Sequence, residues 1–499
     1  MCQNDIKRLL PDWMKQHGYI VLLSCLTVIC YLRSFSIGFI SDDFYYVGIG
    51  HQIDSWESFT QNMLSHGRFI PMQYVYFSLT ANLFSLSSSL FHIPNLLLHI
   101  INGILVYKII LAYTNRWDIP LIGAILFVGN YKGSSVVIWI SNAHGLMVTA
   151  WYLATILMFL HWFSSKQHRF YILSLFTFVM ALLTKEDAVS LLPVLMASWL
   201  IGQKHLTFSW VTVRAYIQEF TPFMILLAIY LYIHTWLSME SGQGYVGIMV
   251  LLGNLEILSD SIINFLQRLK WFTAILFLPE FMYGTEVQPD WIKYSLSIFK
   301  FIVLSVCGIL LWLKGDRGVR FFIAFTFLSM SQYLLSMAAP RYVYLPSIGS
   351  NALFAYVIIQ GTNWFSGFLH HYRKGIVSGI ISVYLIINTY EIQQVIHRWQ
   401  RAGDTVQDIF IQLKNIKPLV PSGSRLYFIG LPFSLDNSPY VYVIHNGLNA
   451  GVQLIYDDMT VHGFHAKHDV LHLADHISEF VFEYSDGKLV ELTPVLDNQ

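Results

Sequence analysis

The chain has 499 residues, of which 55% are hydrophobic and 12% charged, and its 30 basic and 30 acidic residues give a formal net charge of zero. Ordinary soluble domains carry about 25% charged residues, so this composition predicts a polytopic membrane protein. The balanced charge argues against a basic nucleic-acid-binding surface. The four cysteines show no disulfide framework, because three lie within apolar runs and one lies near the N-terminus.

Hydropathy divides the first 391 residues into apolar runs separated by polar segments. A helix that spans a bilayer needs about 20 mostly apolar residues. The first run follows a mixed segment that does not resemble a cleaved signal peptide, so we interpret it as a retained anchor. Two runs are short, which favours tilted or sheltered helices. We predict eleven spans, at residues 19–40, 91–113, 118–131, 142–163, 169–184, 188–202, 217–238, 291–313, 319–337, 342–361 and 375–391.

Lysine and arginine are unevenly distributed between the two sets of predicted loops. When the N-terminus is placed in the cytoplasm, most of these residues fall in cytoplasmic loops, as the positive-inside rule requires. An odd number of spans then leaves the C-terminus on the extracytoplasmic side. The chain has no N-x-Ser/Thr site with a permitted middle residue, which favours a multi-pass protein of a bacterial inner (plasma) membrane.

Three predicted extracytoplasmic segments are long. Two are loops of the membrane domain, which we assign to residues 1–391. They cover residues 41–90 and residues 239–290, and the second includes an amphipathic stretch suited to the membrane interface. The third segment, residues 392–499, has shorter apolar runs and more charge. We expect it to form a small soluble α/β domain.

Two patterns in this last segment predict strands. "SRLYFIGLP" is typical of a buried strand, and "EFVFEYSDGKLVEL" is typical of two strands joined by a tight turn at Asp486-Gly487. The expected fold class is therefore an all-α polytopic membrane bundle of about eleven helices, followed by a small α/β domain.

Two adjacent carboxylates, Asp42 and Asp43, follow directly on the first predicted span, in "GFISDDFYYVGIG". A carboxylate in low-dielectric surroundings has a raised proton affinity and can act as a general base. Two such groups do not usually both take this role. One is expected to be ionised, and the other to be held by a cation, a metal or a hydrogen bond. For the pair taken alone, the alternative is a solvated loop without a chemical role.

Several charged residues fall on the same predicted side of the membrane, at the ends of other spans. They are Arg68, Lys185, Glu186 and Arg341, and His144 joins them on this face. Each alone is more often a satisfied charge at a helix end. Together they place cations at the outer boundary, which suits a phosphate whose lipid tail stays in the bilayer.

The order of these motifs resembles the GT-C class of membrane glycosyltransferases over residues 19–361. The most similar members are the protein O-mannosyltransferases and the transmembrane mannosyltransferases that carry tetratricopeptide repeats, which this chain lacks. The resemblance rests on the acidic pair after the first span, on the arginine-containing segment that ends in "FHIPNLLLH", on "LTKEDAVSLLP" and on "PRYVYLPSIG". It departs from the class near residue 130, where "GNYKG" replaces an expected His-Pro motif.

The resemblance implies a GT-C-like catalytic membrane domain that transfers a hexosyl or pentosyl group, with inversion, from a polyprenyl-phosphate donor. It implies that Asp42 is the base that deprotonates the acceptor and that Asp43 orients it or helps to hold a metal. The residues implied to neutralise the donor phosphate are Arg68, Lys185 and Arg341, and the supporting residues are Glu186, His144 and Tyr344.

The resemblance leaves the cofactor and the acceptor open. Members of the class differ in metal dependence, so no cofactor is firmly implied, and a divalent metal, Mg or Mn, at Asp42 and Asp43 remains one alternative. The acceptor is a protein, a glycolipid or a polysaccharide. A separate candidate is zinc bound by imidazoles at helical spacing, at His468, His472 and His476, although a polar surface helix explains these residues equally.

Two other functions remain alternatives. A transporter or flippase of lipid-linked saccharides would normally show internal repeats and broken helices at mid-membrane, whereas here the charges are predicted at one boundary. A non-catalytic assembly protein of the cell envelope would keep the fold without needing the Asp pair.

Overall fold

The protein is described here by a computed structural model, which covers residues 12–65, 67–114, 116–203, 210–240, 255–277, 290–334, 339–364, 372–435, 441–467 and 479–492. Helices dominate these residues, and one small sheet lies near the C-terminus. Each of the eleven apolar segments predicted from the sequence coincides with a helix, and three further helices lie in the segment 41–90.

The helices are numbered in chain order. The first ten are α1 (Asp12–Tyr31), α2 (Asp42–Gln52), α3 (Trp56–Ser65), α4 (Pro71–Phe84), α5 (Ser88–Tyr113), α6 (Asp118–Val128), α7 (Ser134–Ile138), α8 (Ala143–Ser165), α9 (His168–Thr184) and α10 (Leu191–Gly202). The others are α11 (Trp210–Glu240), α12 (Leu255–Phe277), α13 (Asp290–Lys314), α14 (Arg317–Met330), α15 (Ser347–Trp364), α16 (Arg373–Ile416) and α17 (Leu448–Tyr456).

The predicted number of spans is not confirmed. Several apolar helices are short: α10, with 12 residues, is about 18 Å long, against about 30 Å for a hydrocarbon core. Two neighbouring helical segments, Asp118–Val128 and Tyr131–Ile138, are bent by 46° relative to each other. If the two together form one broken span, it is a sixth. Within the described residues, five helices are long and apolar enough to cross a bilayer: His17–Ser36, Ser88–Tyr113, Ile140–Ser165, Thr212–Met239 and Arg373–Ile416.

The outer faces of these helices are apolar, as a bilayer requires. Ile29, Ile225 and Ile386 are 68%, 53% and 69% exposed. Water would not favour so much apolar surface on a folded monomer, whereas lipid tails solvate it. This surface therefore supports the membrane assignment independently of the hydropathy of the sequence.

The segment 41–90, predicted as a loop, is largely helical. It contains α2, α3 and α4, which are too short or too polar to be recognised as spans but which bury aromatic side chains against the bundle. Tyr46 of α2 stacks on Phe77 of α4, with ring centroids 5.1 Å apart. Gly50 lies so close to the backbone of Phe77 that a β-carbon would collide with it. Hydropathy alone could not reveal this packing.

A stripe of polar side chains on α5 faces the C-terminal ends of α6 and α7. The Asn95 amide donates to the carbonyl oxygens of Val137 and Trp139 (3.2 and 3.3 Å), and His99 Nε2 lies 3.2 Å from the carbonyl oxygen of Val128. These carbonyl oxygens lie at or just beyond helix C-termini, where the helix itself supplies no N–H donor. Inside a membrane they therefore need partners from elsewhere in the protein. The stripe residues, all fully buried, are His92, Asn95, His99 and Asn102.

Helix α16 runs for 44 residues and contains the sequence-based domain boundary between residues 391 and 392. It continues past the apolar run because one face stays apolar at a repeat of three and four residues. That face packs beneath the C-terminal sheet and against the bundle. Its buried residues beyond the boundary include Ile392, Ile396, Trp399, Val406, Phe410 and Leu413.

The C-terminal residues form a four-stranded sheet with the order β2-β1-β3-β4. Strand β1 is central and parallel to β2 and β3, while β3 and β4 form the antiparallel hairpin. Asp486 and Gly487 both have positive φ angles, 51° and 79°, as a tight hairpin turn requires. The predicted strand and hairpin are thus confirmed. The strands are β1 (Arg425–Ile429), β2 (His462–Ala466), β3 (Glu479–Ser485) and β4 (Lys488–Glu491).

The close approach of α16 to the chain after α1 gives a test of this packing. A β-carbon on Gly403 would lie 2.8 Å from the backbone nitrogen of Gly38, whereas nothing lies within 4 Å of one on Gly379 of the same helix. We expect Gly403→Ala to destabilise the protein by about 1–3 kcal/mol through overpacking. Gly379→Ala should be neutral or stabilising by up to about 1 kcal/mol. Thermal unfolding in detergent measures both, and equal effects of the two substitutions would contradict this packing.

Candidate functional site

The two carboxylates of the Asp pair have different surroundings. Asp43 is 1% exposed. Its Oδ2 accepts the backbone N–H of Ile40 (3.1 Å), and its Oδ1 accepts that of Ser141 (2.7 Å). Burial raises the pKa of Asp43 to about 7, even though both N–H groups act in the opposite direction, and the neighbouring Asp42 adds to the rise. Asp43 therefore ties the start of α2 to the chain before α8.

Asp42 is half-buried and lies under residues 441–447, here called the covering segment. The Asn446 amide donates to Asp42 Oδ1 (3.0 Å), and the backbone N–H of Ser41 donates to the carbonyl oxygen of Val443 (3.0 Å). Gly447 lies against the carbonyl oxygen of Ser41, where a β-carbon would collide. The C-terminal residues thus contact the Asp pair directly.

Ser41, immediately before the pair, has a φ of 43° and a ψ of −117°. This is an unfavourable backbone conformation for a residue with a side chain, and it persists only where the surrounding structure holds it. The hydrogen bond to Val443 and the contact with Gly447 supply that constraint. Strained residues of this kind cluster at functional sites.

The Lys185-Glu186-Asp187 motif directs its charges to separate partners. Arg68 Nη2 lies 2.5 Å from Glu186 Oε1, and Lys185 Nζ lies 2.9 Å from Asp187 Oδ2. Burial opposes ionisation of Glu186, but the charges of Arg68 and Lys185 outweigh it and hold the pKa of Glu186 below its usual range. Two of the three predicted phosphate-binding cations are therefore already paired with acids in this structure.

Residue His144 connects this charged cluster to the Asp pair. Its Nδ1 lies 2.9 Å from the carbonyl oxygen of Ser141, whose backbone N–H donates to Asp43. The charges of Lys185 and Arg68 act on the same imidazole. The structure thus brings His144 between the acids and the paired cations.

The third predicted cation, Arg341, contacts aromatic residues. Its guanidinium carbon lies 4.9 Å from the ring centroid of Tyr342 and 5.7 Å from that of Trp139. Lys185 Nζ lies 5.6 Å from the same Tyr342 ring. Arg341 also makes side-chain hydrogen bonds with Tyr342 and with Tyr442 of the covering segment. The covering segment therefore contacts Arg341 as well as Asp42.

Arg341 faces a cavity of about 270 Å³, here called the arginine cavity. A second space, of about 480 Å³, is an almost wholly apolar groove between α12, α13, α14 and α15. Helix α12 separates the two, since Trp271 and Ile275 line the arginine cavity while Leu269 and Phe277 line the apolar groove. The arginine cavity is also lined by Lys132, Trp139, Glu391, Arg398 and Trp399.

Tyr344, predicted as a supporting residue, is placed elsewhere. Its hydroxyl lies 2.7 Å from His99 Nδ1 and accepts the Asn102 amide (3.2 Å), and its side chain is 4% exposed. It bonds the polar stripe of α5 and does not face the charged cluster. Of the motif "PRYVYLPSIG", Arg341 and Tyr342 reach the cluster, while Tyr344 holds the core together.

The donor set does not fit an ion shared by the Asp pair. Both oxygens of Asp43 accept backbone N–H groups and the side chain is inaccessible, so only Asp42 presents a carboxylate oxygen to a ligand. Among the residues that the structure describes, no three His, Cys, Asp or Glu side chains are grouped as metal ligands. The zinc candidate residues His468, His472 and His476 lie outside the described residues.

Sequence reasoning missed several residues of the site. Asn446 comes from the C-terminal part of the chain, and nothing in the sequence pairs it with Asp42. Asp187 lies within the motif "LTKEDAVSLLP" but was given no role, although it pairs with Lys185 and accepts a hydrogen bond from the Tyr333 hydroxyl (2.6 Å). Arg398 was hidden because the boundary at residue 391 separated it from the membrane domain. The apolar repeat of α16 was the signal that could have placed it.

Comparisons with known proteins give fold-level likenesses only. No protein-family model matches the chain, and a search of curated proteins finds no relative. Among solved structures, the oligosaccharyltransferase AglB of Archaeoglobus fulgidus, in complex with an inhibitory peptide and a dolichol-phosphate, is 12% identical with a TM-score of 0.46 over 90% of this chain. Its apo form gives 0.48 over 90%, and the form with Zn and sulfate gives 0.44 over 88%, both at 12% identity.

The chain spans less than two thirds of the length of these proteins, at 64%, 65% and 61%. Similarity at this level does not identify a family or an activity. The function is therefore argued below from the residues of the site.

The buried Asp43 predicts a specific dependence of stability on pH. Because its pKa is about 7 when folded and 3.8 ordinarily, the folded state holds this proton more tightly than the unfolded state. The resulting stabilisation is complete below about pH 4 and is lost as the pH rises to about 7, with a total of about 4 kcal/mol.

We expect Asp43→Asn to remove this contribution, so that the variant loses less stability than the wild type between about pH 4 and 7. Thermal unfolding in detergent across this range measures the difference. Asp404→Asn, at an exposed position of α16, is the matched control and should keep the wild-type slope. An identical slope in Asp43→Asn and the wild type would contradict the assignment.

Proposed function

We propose that the protein is a membrane glycosyltransferase that transfers a sugar from a polyprenyl-phosphate-linked donor to an acceptor hydroxyl, with inversion. The observation that supports this best is the joint contact of the covering segment with Asp42 and Arg341. A carboxylate that can take a proton and a cation that can neutralise a phosphate thus lie under one short piece of chain. Tyr442 and Asn446 are four residues apart, so their Cα atoms are at most about 14 Å apart.

The reaction needs one base and one stabilised leaving group. The acceptor hydroxyl attacks the anomeric carbon of the donor, and its proton passes to the carboxylate of Asp42. The bond between the anomeric carbon and the phosphate oxygen breaks, and polyprenyl phosphate leaves with the bonding electron pair. Arg341 balances the negative charge that develops on the phosphate. A single displacement of this kind inverts the anomeric configuration.

The roles of the two acids follow from their surroundings. Asp42 is half-buried and has a carboxylate oxygen that a hydroxyl can reach, while both oxygens of Asp43 are engaged with backbone N–H groups. Asp42 is therefore proposed as the base and Asp43 as its positioning residue. Arg68 is proposed to act through its ion pair, by keeping Glu186 ionised, and Lys185 through its ion pair with Asp187.

A lipid-linked donor suits the two spaces on either side of α12. The arginine cavity offers three cations to a phosphate, and the apolar groove offers a surface of matching character to a prenyl chain. A water-soluble nucleotide-sugar has no prenyl chain that the apolar groove could bind. The hexosyl or pentosyl identity of the sugar comes from the sequence resemblance and the bacterial inner-membrane location from the lack of N-x-Ser/Thr sites, and both remain predictions. The Mg or Mn ion is not part of the proposal, because the Asp pair does not fit a shared ion.

Replacement of the base tests the proposed reaction. We expect Asp42→Asn to reduce release of polyprenyl phosphate from a labelled donor by at least about 100-fold, because loss of a general base removes a factor of about 10²–10⁴. Asp54→Asn, an exposed aspartate on the same segment, should release it at the wild-type rate. Near-normal release by Asp42→Asn, with folding in detergent verified, would remove Asp42 from this role. Movement of the donor across liposomes without release would favour a flippase.

Replacement of the proposed phosphate ligand tests donor binding. Arg341→Ala should raise the KM for the donor by about tenfold or more, since a charge-assisted hydrogen bond contributes about 1.5–3 kcal/mol. Arg169→Ala is a matched control, because Arg169 also stacks on its neighbouring ring, at 4.8 Å from Phe170, but lies away from the cavity. An unchanged KM in Arg341→Ala would contradict the assignment.

A further inference from the structure

A third cavity, of about 400 Å³, lies where α2 and α3 meet α17. It differs from the arginine cavity and the apolar groove in position and in chemistry. Its volume is within the range of about 300–1,000 Å³ typical of small-molecule sites. We call it the amide cavity, because its lining includes Tyr45, Gln52, Asn62, Asn446, Asn449 and Gln453.

The amide cavity extends along one face of α2 that begins at Asp42. Tyr45, Ile49 and Gln52 follow Asp42 at three, seven and ten residues, which is the spacing of one helix face. All three line the cavity. Asn446, two residues before α17, and Asn449, Ala450 and Gln453 of α17 supply the facing wall. The proposed base thus lies on the same face of α2 as the lining residues, one turn before Tyr45.

Asn446 connects the cavity to the base. It lines the amide cavity, and its side-chain amide donates to Asp42 Oδ1 (3.0 Å). Tyr45, also in the lining, lies close enough for the charge of Asp42 to raise the pKa of its phenol, after burial as the main cause. A ligand in the amide cavity therefore lies beside the carboxylate that would take its proton.

Three amides of the lining, those of Gln52, Asn62 and Asn449, are only half engaged with the protein. The Gln52 amide nitrogen contacts Met459 Sδ (3.4 Å), the Asn62 amide nitrogen donates to the carbonyl oxygen of Ser58 (2.9 Å), and Asn449 Oδ1 accepts the backbone N–H of Gly463 (3.1 Å). Within the described part of the chain, no protein group bonds the other polar atom of these three amides. The cavity thus offers acceptors and a donor to a ligand.

The lining also limits the charge of the ligand. Its described residues include no Lys, Arg, Asp or Glu, so an ionised ligand would lose its hydration without gaining a counter-charge. A sugar hydroxyl both donates and accepts, which matches side-chain amides, since each carries both functions. Ile49 and Ala450 are the main apolar lining, which is little surface for the side chains of a peptide.

We propose that the amide cavity binds the acceptor and that the acceptor is an uncharged saccharide. This assignment rests on the proposed function, because it takes Asp42 as the base. The saccharide lies along α2 with one hydroxyl at Asp42, and the amides hold its remaining hydroxyls. The covering segment borders both this acceptor, at Asp42, and the donor phosphate, at Arg341.

Binding in the absence of donor tests this proposal. The full-length protein in detergent is titrated with a panel of p-nitrophenyl hexosides and uncharged disaccharides, followed by saturation-transfer NMR and calorimetry. An uncharged serine- and threonine-containing hexapeptide is titrated in parallel. We expect saccharide binding and no peptide binding.

The matched variants are Asn62→Ala and Asn82→Ala. Both asparagines donate to a carbonyl oxygen one turn earlier, at 2.9 and 2.8 Å, but Asn82 is exposed on α4 outside the cavity. Asn62→Ala should weaken saccharide binding about three- to tenfold, and Asn82→Ala should leave it unchanged. If Asn62→Ala fails to fold, Gln52→Ala replaces it with the same expected result.

The proposal is overturned if no saccharide binds, if binding is unaffected by the cavity variant, or if only the peptide binds. Release of polyprenyl phosphate to water, measured without any saccharide, tests the proposed function separately. Asp42-dependent release without saccharide binding would overturn only the acceptor assignment. Saccharide binding without donor turnover would overturn the proposed function and, with it, the role of the cavity as an acceptor site.

Discussion

The geometry of the site depends on the buried carboxylate of Asp43. Its two hydrogen bonds, to the backbone N–H groups of Ile40 and Ser141, fix the first turn of α2 against the chain that precedes α8. A buried carboxylate without hydrogen-bond partners would be costly. Any movement that separated Asp43 from these two N–H groups would therefore destabilise the folded state. Asp42, one residue earlier, is held in place as a result. The two adjacent charges thus differ: Asp43 is a buried, hydrogen-bonded support, and Asp42 is a half-buried carboxylate.

The covering segment extends this arrangement to the rest of the site. It holds the strained Ser41, donates to Asp42 through Asn446 and reaches Arg341 through Tyr442. The C-terminal part of the chain therefore contributes residues to the candidate site. The contact of Gly447 with the Ser41 carbonyl allows no side chain between them. A donor and an acceptor that approach from opposite sides would both meet this segment.

The sequence predicted much of the fold where a local pattern was strong. Eleven apolar runs coincide with helices, and the Asp486-Gly487 turn joins two strands as expected. Prediction from the sequence failed where the structure depends on long-range packing. The three helices of residues 41–90 are too short or too polar to be recognised as spans, and α2 and α4 pack through aromatic contacts such as that of Tyr46 with Phe77. Helix α16 was divided at residue 391 because hydropathy falls there while the apolar repeat continues.

The residues of the candidate site could likewise be predicted where a local pattern was strong, and not where they depend on long-range packing. The sequence could nominate Asp42, Arg68, Lys185 and Arg341 because charges at the ends of apolar runs are conspicuous. It could not distinguish Asp42 from Asp43, because their difference is the burial of one and not of the other. It assigned Tyr344 to the site, although the hydroxyl bonds His99 and Asn102 in the core. The spacing of the α5 polar stripe, from His92 to Asn102, was a readable sign of a buried network.

A structure of the protein with a non-transferable polyprenyl-phosphate sugar analogue tests the central claim most directly. The account predicts that phosphate oxygens lie within hydrogen-bond distance of Arg341, that the prenyl chain enters the apolar groove beside α12, and that the anomeric carbon faces Asp42. A phosphate bound away from Arg341, or a sugar on the side of the protein opposite Asp42, would contradict it.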